Sequence, residues 1–427
     1  MFIMARCRFP TCRDSNRIYS KNMTTESPDH LDQLIAIIAD AMAAGTALSV
    51  NGSASKSGWG YAVADARMVT LDRWAGVIDY QPEELILTVR AGTSMAEINA
   101  ILAEKNQMLG FEPPDPSVLF AQKDAGNTGT IGGVLATNFS GSRRLTAGAA
   151  RDFLLGFEAA SGRGERFRSG GKVVKNVTGY DLSKLICGSF GTLAIMDEIT
   201  LKTLPRPEIS RTVLIPVVDL ATAVRQIAAI MATPHEPSAA AILPTDIAVQ
   251  AGYDSDHMLI TIRFEGFDVS VNDRVNAMLS LYPDGHSIDD AASQTLWQAI
   301  GNTAFLADTD GDIWKLSCPP SAAPMVIDAV SENWPLKYYA DWAGGLLWLA
   351  LPGEHSQSDQ SAGAILRQTL ASHGGGFAQL IRDAGITRSF VPPFQPLSSP
   401  QMALHQRIKA AFDPKGILNP GRMHHEL

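Results

Sequence analysis

Three stretches of small residues constrain the fold of this chain more than any other feature of its sequence. The first, residues 51–58, follows a short apolar run at 46–50 that is typical of a strand. The second lies within residues 126–149, and the third, Cys187–Gly191, leads into an apolar run that ends near Lys202. Residues with little or no side chain allow the backbone to approach a ligand closely. The pattern predicts a mixed α/β fold in which main-chain groups hold a bound molecule.

The first stretch does not match either of the common phosphate-binding motifs. A P-loop would need glycine at positions occupied by Val50 and Ser55, and a dinucleotide fingerprint starting at Gly52 would need two further glycines that are absent. The small residues can instead form a nest of N–H groups around a pyrophosphate, with the charge of Lys56 close by. On its own, the stretch is better explained as an ordinary surface turn, because short glycine patterns arise by chance.

Composition and charge limit the classes of protein to which the chain can belong. With 427 residues, 45% of them hydrophobic and 19% charged, it is long enough for two or three folded domains. The net charge of −9 argues against a nucleic-acid partner, because phosphate backbones are bound by excess Lys and Arg. No stretch reaches the roughly 18 apolar residues of a transmembrane helix. The four cysteines have no C-x-x-C spacing and predict neither a zinc site nor an iron-sulfur cluster.

Five segments of the chain resemble a known family of flavoproteins. Thr130–Gly141 (TIGGVLATNFSG) and Gly188–Glu198 (GSFGTLAIMDE) resemble, in the same order, segments of FAD enzymes of the vanillyl-alcohol oxidase/PCMH type. The match narrows with three further segments, Phe111–Pro114, Lys175–Leu182 and Phe412–Met423. Together these resemble the FAD-binding E subunit of bacterial glycolate oxidase, over residues 29–204 and again over 379–423.

The resemblance implies an α+β fold, with a PCMH-type two-subdomain FAD-binding module and a cap domain built on a helix-covered sheet. Two proline-rich segments, Leu204–Pro207 and Val391–Pro396, punctuate the chain at the expected boundaries. We therefore expect four parts: a disordered tail at 1–28, the FAD-binding domain at 29–204, a cap at 205–398, and a C-terminal segment at 399–427 that returns to the FAD domain.

The same resemblance implies which residues bind FAD. The first loop is expected to bind the pyrophosphate, and the second stretch is expected to lie along the cofactor. Ile195 is expected to contact the adenine end through its backbone, and Asn419 is expected to lie on the flavin side. The expected cofactor-binding residues are Asn51, Gly52, Ser53, Ala54, Ser55, Lys56, Ser57, Gly58, Thr130, Ile131, Gly132, Gly133, Thr137, Asn138, Gly191, Ile195 and Asn419.

The first loop departs from the family pattern in two ways. Many relatives have R-G-G-G-T where this chain has Asn51–Ser55, and some relatives carry a histidine there that attaches FAD covalently. This chain has no histidine between His30 and His235. We therefore expect FAD to be bound without a covalent link to that loop.

The sequence identifies the catalytic residues less well than the cofactor loops. Related catalytic subunits carry a G-H-x-G-D-G-N-x-H motif that supplies a histidine and metal ligands, and this sequence contains no match to it. We expect no metal site. A 2-hydroxy acid would need an arginine to bind its carboxylate, and Arg382 and Arg388 are the candidates near the C-terminal flavin segment. Arginines that lie at the surface or contact a partner subunit explain the pattern equally well.

By resemblance, the chain is an FAD-dependent subunit that oxidises glycolate to glyoxylate in a complex. The implied partners are a homologous catalytic flavoprotein subunit and an iron-sulfur subunit, and the implied location is cytoplasmic, or membrane-associated through those partners. Two alternatives remain open: a non-catalytic flavin-binding subunit that relays electrons or supports the complex, and a free-standing FAD dehydrogenase for another 2-hydroxy acid such as D-lactate.

Overall fold

The computed structural model describes residues 25–120, 128–172, 179–353, 361–385 and 387–427. Most of the expected N-terminal tail and residues 175–178 of one family segment lie outside the described residues. The described part contains helices together with parallel and antiparallel sheets, which agrees with the α+β expectation.

The chain begins with a small parallel sheet and one helix. Its elements are β1 (Thr25–Glu26), α1 (Leu31–Ala44), β2 (Leu48–Asn51) and β3 (Arg67–Thr70), and the strand order is β1-β3-β2. Helix α1 ends at Gly45, whose φ of 65° is the left-handed conformation that glycine adopts without strain. The expectation of disorder up to residue 28 is wrong for β1, because Glu26 pairs with Arg67 at 2.7 Å and extends the sheet.

A five-stranded antiparallel sheet forms the second half of the N-terminal module, with the order β4-β5-β9-β7-β8. In chain order, the elements of this part are β4 (Val77–Gln81), β5 (Ile86–Arg90), α2 (Met95–Glu104), β6 (Gln107–Met108), α3 (Pro116–Phe120), α4 (Ile131–Thr137), α5 (Arg144–Ala147), α6 (Ala150–Phe153), β7 (Leu154–Ser161), β8 (Arg166–Gly170), α7 (Leu182–Ile186), β9 (Ala194–Lys202) and β10 (Leu204–Pro205). The short strands β6 and β10 pair with each other.

An eight-stranded antiparallel sheet follows and forms the cap. Its elements are β11 (Ile209–Val217), α8 (Leu220–Met231), β12 (Ala239–Leu243), α9 (Thr245–Gln250), β13 (Met258–Gly266), α10 (Asp268–Leu281), β14 (His286–Ile288), α11 (Asp290–Gly301), β15 (Asp312–Ser317), α12 (Ala323–Ser331), β16 (Lys337–Asp341), β17 (Leu346–Leu351), α13 (Ala362–Ser372) and β18 (Phe377–Arg382). The strand order is β14-β11-β13-β12-β16-β17-β15-β18.

The two faces of the cap sheet have different partners, because successive side chains of a strand point to opposite faces. On the outer face, residues such as Val213, Trp314 and Leu316 pack against helices α8, α10, α12 and α13. On the inner face, residues such as Ile313 and Trp348 share a hydrophobic cluster with side chains of the N-terminal module. The inner face of the cap therefore covers that module.

Four buried or half-buried charged residues join the cap to the N-terminal module. Arg143 contacts Glu112 at 3.1 Å and Glu265 at 2.5 Å, while Arg263 contacts the same two carboxylates at 2.8 Å and 3.2 Å. Each charge thus has two partners of opposite sign, which offsets the cost of removing it from water.

The end of the chain returns to the N-terminal module. Helix α14 (Ser399–Phe412) is followed by a segment in which Leu418 forms a parallel bridge with Leu48 of β2. The turn is fixed by the buried Lys409 ammonium, which donates to the Asp413 carboxylate at 2.8 Å and to the Leu418 carbonyl at 2.8 Å. The C-terminal segment therefore contacts the strand that precedes the first small-residue loop.

Candidate cofactor site

The first small-residue loop forms one wall of a cleft in the N-terminal module. The loop leaves β2 at Asn51, and the Ser57 N–H closes a turn by donating to the Ala54 carbonyl at 3.0 Å. Ala54 has a left-handed φ of 55°. A left-handed residue within a tight turn is a feature of main-chain anion nests. Glycine would adopt that conformation at less cost than alanine.

Most of the expected cofactor residues line this one cleft. From the first loop, the second small-residue stretch and the C-terminal segment, the structure brings together Asn51, Gly52, Ser53, Ala54, Ser55, Lys56, Ser57, Thr130, Gly133, Thr137 and Asn419. These residues come from three parts of the sequence, so the cleft exists only in the folded chain.

Lys56 places a buried positive charge in the cleft. The residue is 7% exposed, and its Nζ donates to the Ser55 hydroxyl at 3.3 Å. No carboxylate of the described residues lies within 4.0 Å of this ammonium group. Burial lowers the Lys56 pKa to about 8, and the more distant Asp115 opposes that shift. A buried cation without a carboxylate partner is costly unless an anion binds to it.

The second wall of the cleft depends on two glycines. A Cβ atom on Gly52 would overlap the Thr130 hydroxyl, and a Cβ atom on Gly133 would lie 3.5 Å from the Lys56 ammonium. Thr130 caps α4 by accepting a hydrogen bond from the Gly133 N–H at 3.3 Å. The glycines thus let the two walls approach each other and leave space beside the lysine.

The C-terminal segment holds both walls in place. The Asn419 side-chain oxygen accepts the Val50 N–H at 2.8 Å, and its nitrogen donates to the Phe190 carbonyl at 2.9 Å. The Arg422 guanidinium donates to the carbonyls of Lys56 and Ser57, each at 3.1 Å. Asn419 therefore connects the strand before the first loop to the third small-residue stretch.

Six of the expected residues lie outside the lining of this cleft. Gly58 packs near Phe120, and Gly132 donates its N–H to the Ala91 carbonyl at 2.8 Å. The remaining four are Ile131 and Ile195, whose side chains belong to hydrophobic cores, Asn138, which ends α4 and accepts the Arg151 N–H, and Gly191, which packs beside Asn419. Their assignment to FAD remains a prediction.

Six residues of the lining were missed by the sequence analysis: Ser49, Val50, Val63, Ala136, Phe190 and Arg422. Arg422 had a usable signal, since it directly follows the Asn-Pro-Gly of the C-terminal family segment. Phe190 lies between Gly188 and Gly191 of the third stretch. Val63 and Ala136 carry no chemical signal, because they only supply surface.

The structure gives Arg382 a role in packing. Its two terminal nitrogens donate to the carbonyls of Leu119 at 3.0 Å, Ala307 at 2.7 Å and Leu306 at 3.4 Å, and also to the carbonyl and hydroxyl of Thr309. Because both nitrogens needed for a bidentate carboxylate contact are already engaged, the geometry does not support Arg382 as the substrate ligand.

Arg388 connects the cap to the first loop. Its guanidinium donates to the Gly58 carbonyl at 2.7 Å and lies 3.9 Å from the Asp383 carboxylate. That position is close to the cofactor loop, but the hydrogen bond to Gly58 gives Arg388 a positioning role there. A direct contact with substrate remains a prediction for this residue.

The residues of the cleft fit the pyrophosphate of a dinucleotide cofactor. A turn of small residues, a buried ammonium without a carboxylate partner in the described chain, and glycines that leave room beside it are what an anionic diphosphate requires. Together with the two-part N-terminal module, these features fit a dinucleotide-binding module.

Comparison with known families specifies the cofactor. Residues 26–170 match the family described as FAD binding domain, and residues 396–423 match FAD linked oxidases, C-terminal domain. The two matched segments contain most of the residues that line the cleft. The cofactor is therefore FAD, and the chain is a flavoprotein of the FAD-linked oxidoreductase class.

Relatives of known name define the family more narrowly. Glycolate oxidase subunit GlcE of Escherichia coli (strain K12) is 33% identical, over 93% of this chain and 99% of the relative. Glycolate oxidase subunit GlcD of Bacillus subtilis (strain 168) is 26% identical, over 81% of this chain and 77% of the relative. The chain belongs to the family of the FAD-binding glycolate oxidase subunit GlcE.

A solved structure confirms the fold class. That of p-cresol methylhydroxylase superimposes with a TM-score of 0.70, at 14% identity, over 96% of this chain and 92% of the other. The expected PCMH-type fold is thus correct. Within the described residues, no helix has the length and apolar character needed to cross a membrane.

Proposed function

We propose that this chain is the FAD-binding subunit of a glycolate oxidase complex and that its flavin takes part in oxidising a small 2-hydroxy acid, glycolate in the first instance, to the 2-oxo acid. The observation that carries the proposal is the cleft around Lys56, which supplies a cation and main-chain donors for a diphosphate. The relationship to GlcE supports glycolate as the substrate.

The residues of this chain would hold and orient the cofactor. The nest at 51–58 and Lys56 would bind the pyrophosphate, and Asn419 and Arg422 would keep that loop in its binding conformation through the hydrogen bonds described above. FAD, when bound, supplies the acceptor for the two electrons of the hydroxy acid. The inner face of the cap would cover the cofactor and limit access of water.

Electrons that leave this flavin need a further acceptor. The chain has four cysteines without cluster spacing, so we propose that a partner flavoprotein and an iron-sulfur subunit, or a diffusible acceptor, receive them. The existence of relatives named as two different subunits of glycolate oxidase, GlcE and GlcD, supports a complex of homologous flavoproteins.

The test is anaerobic reduction of the FAD-loaded chain by glycolate, followed by flavin absorbance, first alone and then with the candidate partner subunits. Bleaching only in the presence of the partners supports the proposal. Bleaching of the isolated chain indicates an autonomous dehydrogenase, for which D-lactate should be compared with glycolate. A chain that retains no FAD after reconstitution contradicts the proposal.

A second candidate is a flavin-binding subunit that does not oxidise substrate itself. It is favoured by the lack of the histidine-containing metal motif in the sequence and by the engagement of Arg382 with main-chain carbonyls. In the same experiment, this candidate predicts that FAD is retained but is never reduced directly by glycolate, with or without partners.

A further inference from the structure

Lys315 lies on the inner face of the cap, where the cap meets the cofactor loops. Its ammonium lies 5.4–5.8 Å from the ring centroids of four aromatic residues, Trp59, Phe139, Trp342 and Trp348. We call these four residues the aromatic enclosure. Trp59 directly follows the first loop and Phe139 directly follows Asn138 of the second stretch. Lys315 of the cap therefore lies next to the residues that follow the first loop and the second small-residue stretch.

Two cationic side chains, Lys315 and Arg144, contact the aromatic enclosure without a direct carboxylate partner. In the part of the chain that the structure describes, Lys315 forms no ion pair and no hydrogen bond through its ammonium. The Arg144 guanidinium packs 4.5 Å from the centroid of the same Trp342 ring and likewise has no carboxylate within 4.0 Å among these residues. Two cationic side chains therefore contact one ring without a direct counterion.

The nearby carboxylate of Asp341 is already engaged. It accepts hydrogen bonds from the Ser142 hydroxyl and from the Trp342 N–H, both at 2.7 Å. Burial raises the Asp341 pKa to about 6. Burial and the charge of Arg144 lower the Lys315 pKa to about 7, and the charge of Asp341 only partly opposes this shift. An additional anion would relieve the electrostatic cost of this arrangement.

The donors around the enclosure match a small carboxylate. Lys315 is half-buried, and its ammonium faces the rings of the aromatic enclosure. Besides the two cations, the Trp59 indole N–H is buried without a hydrogen-bond partner in the described residues. All three groups can only donate, which is the requirement for a ligand whose oxygens accept. The large rings on several sides favour a small molecule.

We propose that Lys315, assisted by Arg144, binds the carboxylate of the 2-hydroxy acid substrate between the cap and the FAD module. This inference rests on the proposed function and assigns its carboxylate ligand to the inner face of the cap. It replaces Arg382, whose terminal nitrogens are engaged elsewhere.

The test uses oxalate, a small dianion that flavin cannot oxidise by hydride transfer, titrated calorimetrically into the FAD-loaded full chain. Lys315→Met should weaken oxalate binding roughly tenfold or more, since it removes the charge that faces the ligand, and Lys315→Arg should restore most of the affinity. FAD content should remain that of the parent. The matched control is Lys337→Met in the same sheet, whose ammonium bonds the exposed Gln250 side chain.

Failure of this inference is distinguishable from failure of the proposed function. If Lys315→Met binds oxalate as the parent does, or if the parent binds none, the inference is wrong even when glycolate reduces the flavin. If oxalate binding depends on Lys315 but glycolate reduces no flavin with or without partners, the anion site stands and the proposed oxidation fails. Should Lys315→Met not fold, Arg144→Gln at the partly exposed edge of the enclosure must show the same loss of oxalate affinity.

Discussion

Replacing Lys56 by methionine should make the FAD-free protein more stable and at the same time weaken its binding of FAD. Among the described residues of the FAD-free protein, the buried Lys56 ammonium hydrogen-bonds the Ser55 hydroxyl, and burial lowers its pKa to about 8. The buried Lys56 charge therefore lowers the folding stability of the FAD-free protein, and a bound anion would offset that cost.

The magnitude follows from the pKa. The ordinary lysine value is 10.5 and the buried value is about 8, so at about 1.36 kcal/mol per pKa unit the charged form costs about 3 kcal/mol. Because methionine also loses a hydrogen bond, we expect Lys56→Met to raise the free energy of unfolding of the FAD-free chain by about 1–3 kcal/mol at pH 7. Loss of a charged contact to the diphosphate should raise the FAD Kd by roughly 10- to 100-fold.

The pH dependence has a definite sign. Below pH 8, Lys56 is protonated in both the folded and the unfolded chain, and the full cost is present. Between about pH 8 and 10.5, the unfolded chain binds more protons than the folded chain, so the stability of the parent rises with pH. The methionine variant lacks this rise, and the difference in stability between the two proteins should shrink toward pH 10.5.

Urea unfolding of the FAD-free proteins at pH 7 and pH 9.5, with FAD titrations followed by flavin fluorescence, measures both effects. Lys415→Met at an exposed position is the control and should change neither quantity. The reasoning is refuted if Lys56→Met destabilises the FAD-free chain at pH 7, or if the variant binds FAD as tightly as the parent.

Three further substitutions test the cleft and the segment that closes it. Gly52→Ala places a Cβ against the Thr130 hydroxyl and should cost about 1–3 kcal/mol of stability together with FAD affinity, measured by urea unfolding and FAD titration. Ala54→Gly relieves a left-handed φ of 55° and should leave FAD binding intact while changing the thermal midpoint by the equivalent of about 0–1 kcal/mol in the stabilising direction. Lys409→Met leaves the Asp413 carboxylate buried without its cation and should cost about 3–5 kcal/mol in urea unfolding.

These three predictions share one control. A Cβ on Gly301 meets no atom within 4 Å, so Gly301→Ala should change neither stability nor FAD binding by a comparable amount. A Gly52→Ala variant that behaves like Gly301→Ala would show that the two walls are not in close contact. A destabilised Ala54→Gly variant would mean that alanine stabilises the loop by more than its left-handed φ costs. An unchanged stability of Lys409→Met would mean that the Asp413 carboxylate does not depend on the Lys409 ammonium.

Local signals in the sequence account for several N-terminal elements. The Ser94 hydroxyl accepts the Glu97 N–H at 3.1 Å, as the capping-box pattern Ser-x-x-Glu indicates. Gly45 ends α1 in the left-handed conformation that glycine favours. The turn after Ser161 closes the hairpin of β7 and β8. In each case, a few neighbouring residues determine the backbone, so the signal lies within the element.

The strands and contacts that were missed depend on distant parts of the chain. Strand β12 reads Ala-Ala-Ala-Ile-Leu, which has no strand pattern, and it forms because β13 and β16 enclose it. The engagement of Arg382 with main-chain carbonyls has no sequence signal, because its partners at 119 and 306–309 come together only in the fold. Lys315 did leave a signal, as a charged residue between the apolar residues Trp314 and Leu316. Its significance depends on Trp59 and Phe139 of the other module.

The hydrogen bond from the Val50 N–H to Asn419 spans 369 positions of the sequence. Arg422 donates a hydrogen bond to the Lys56 carbonyl of the first loop over a similar separation. During translation, the residues of the diphosphate-binding loop are synthesised long before Asn419 and Arg422, which hold that loop in its conformation. Contacts of such separation form late in folding, because the entropy of closing the intervening loop must first be overcome. We therefore expect the chain to bind FAD only after translation, when its last segment has docked onto the first loop.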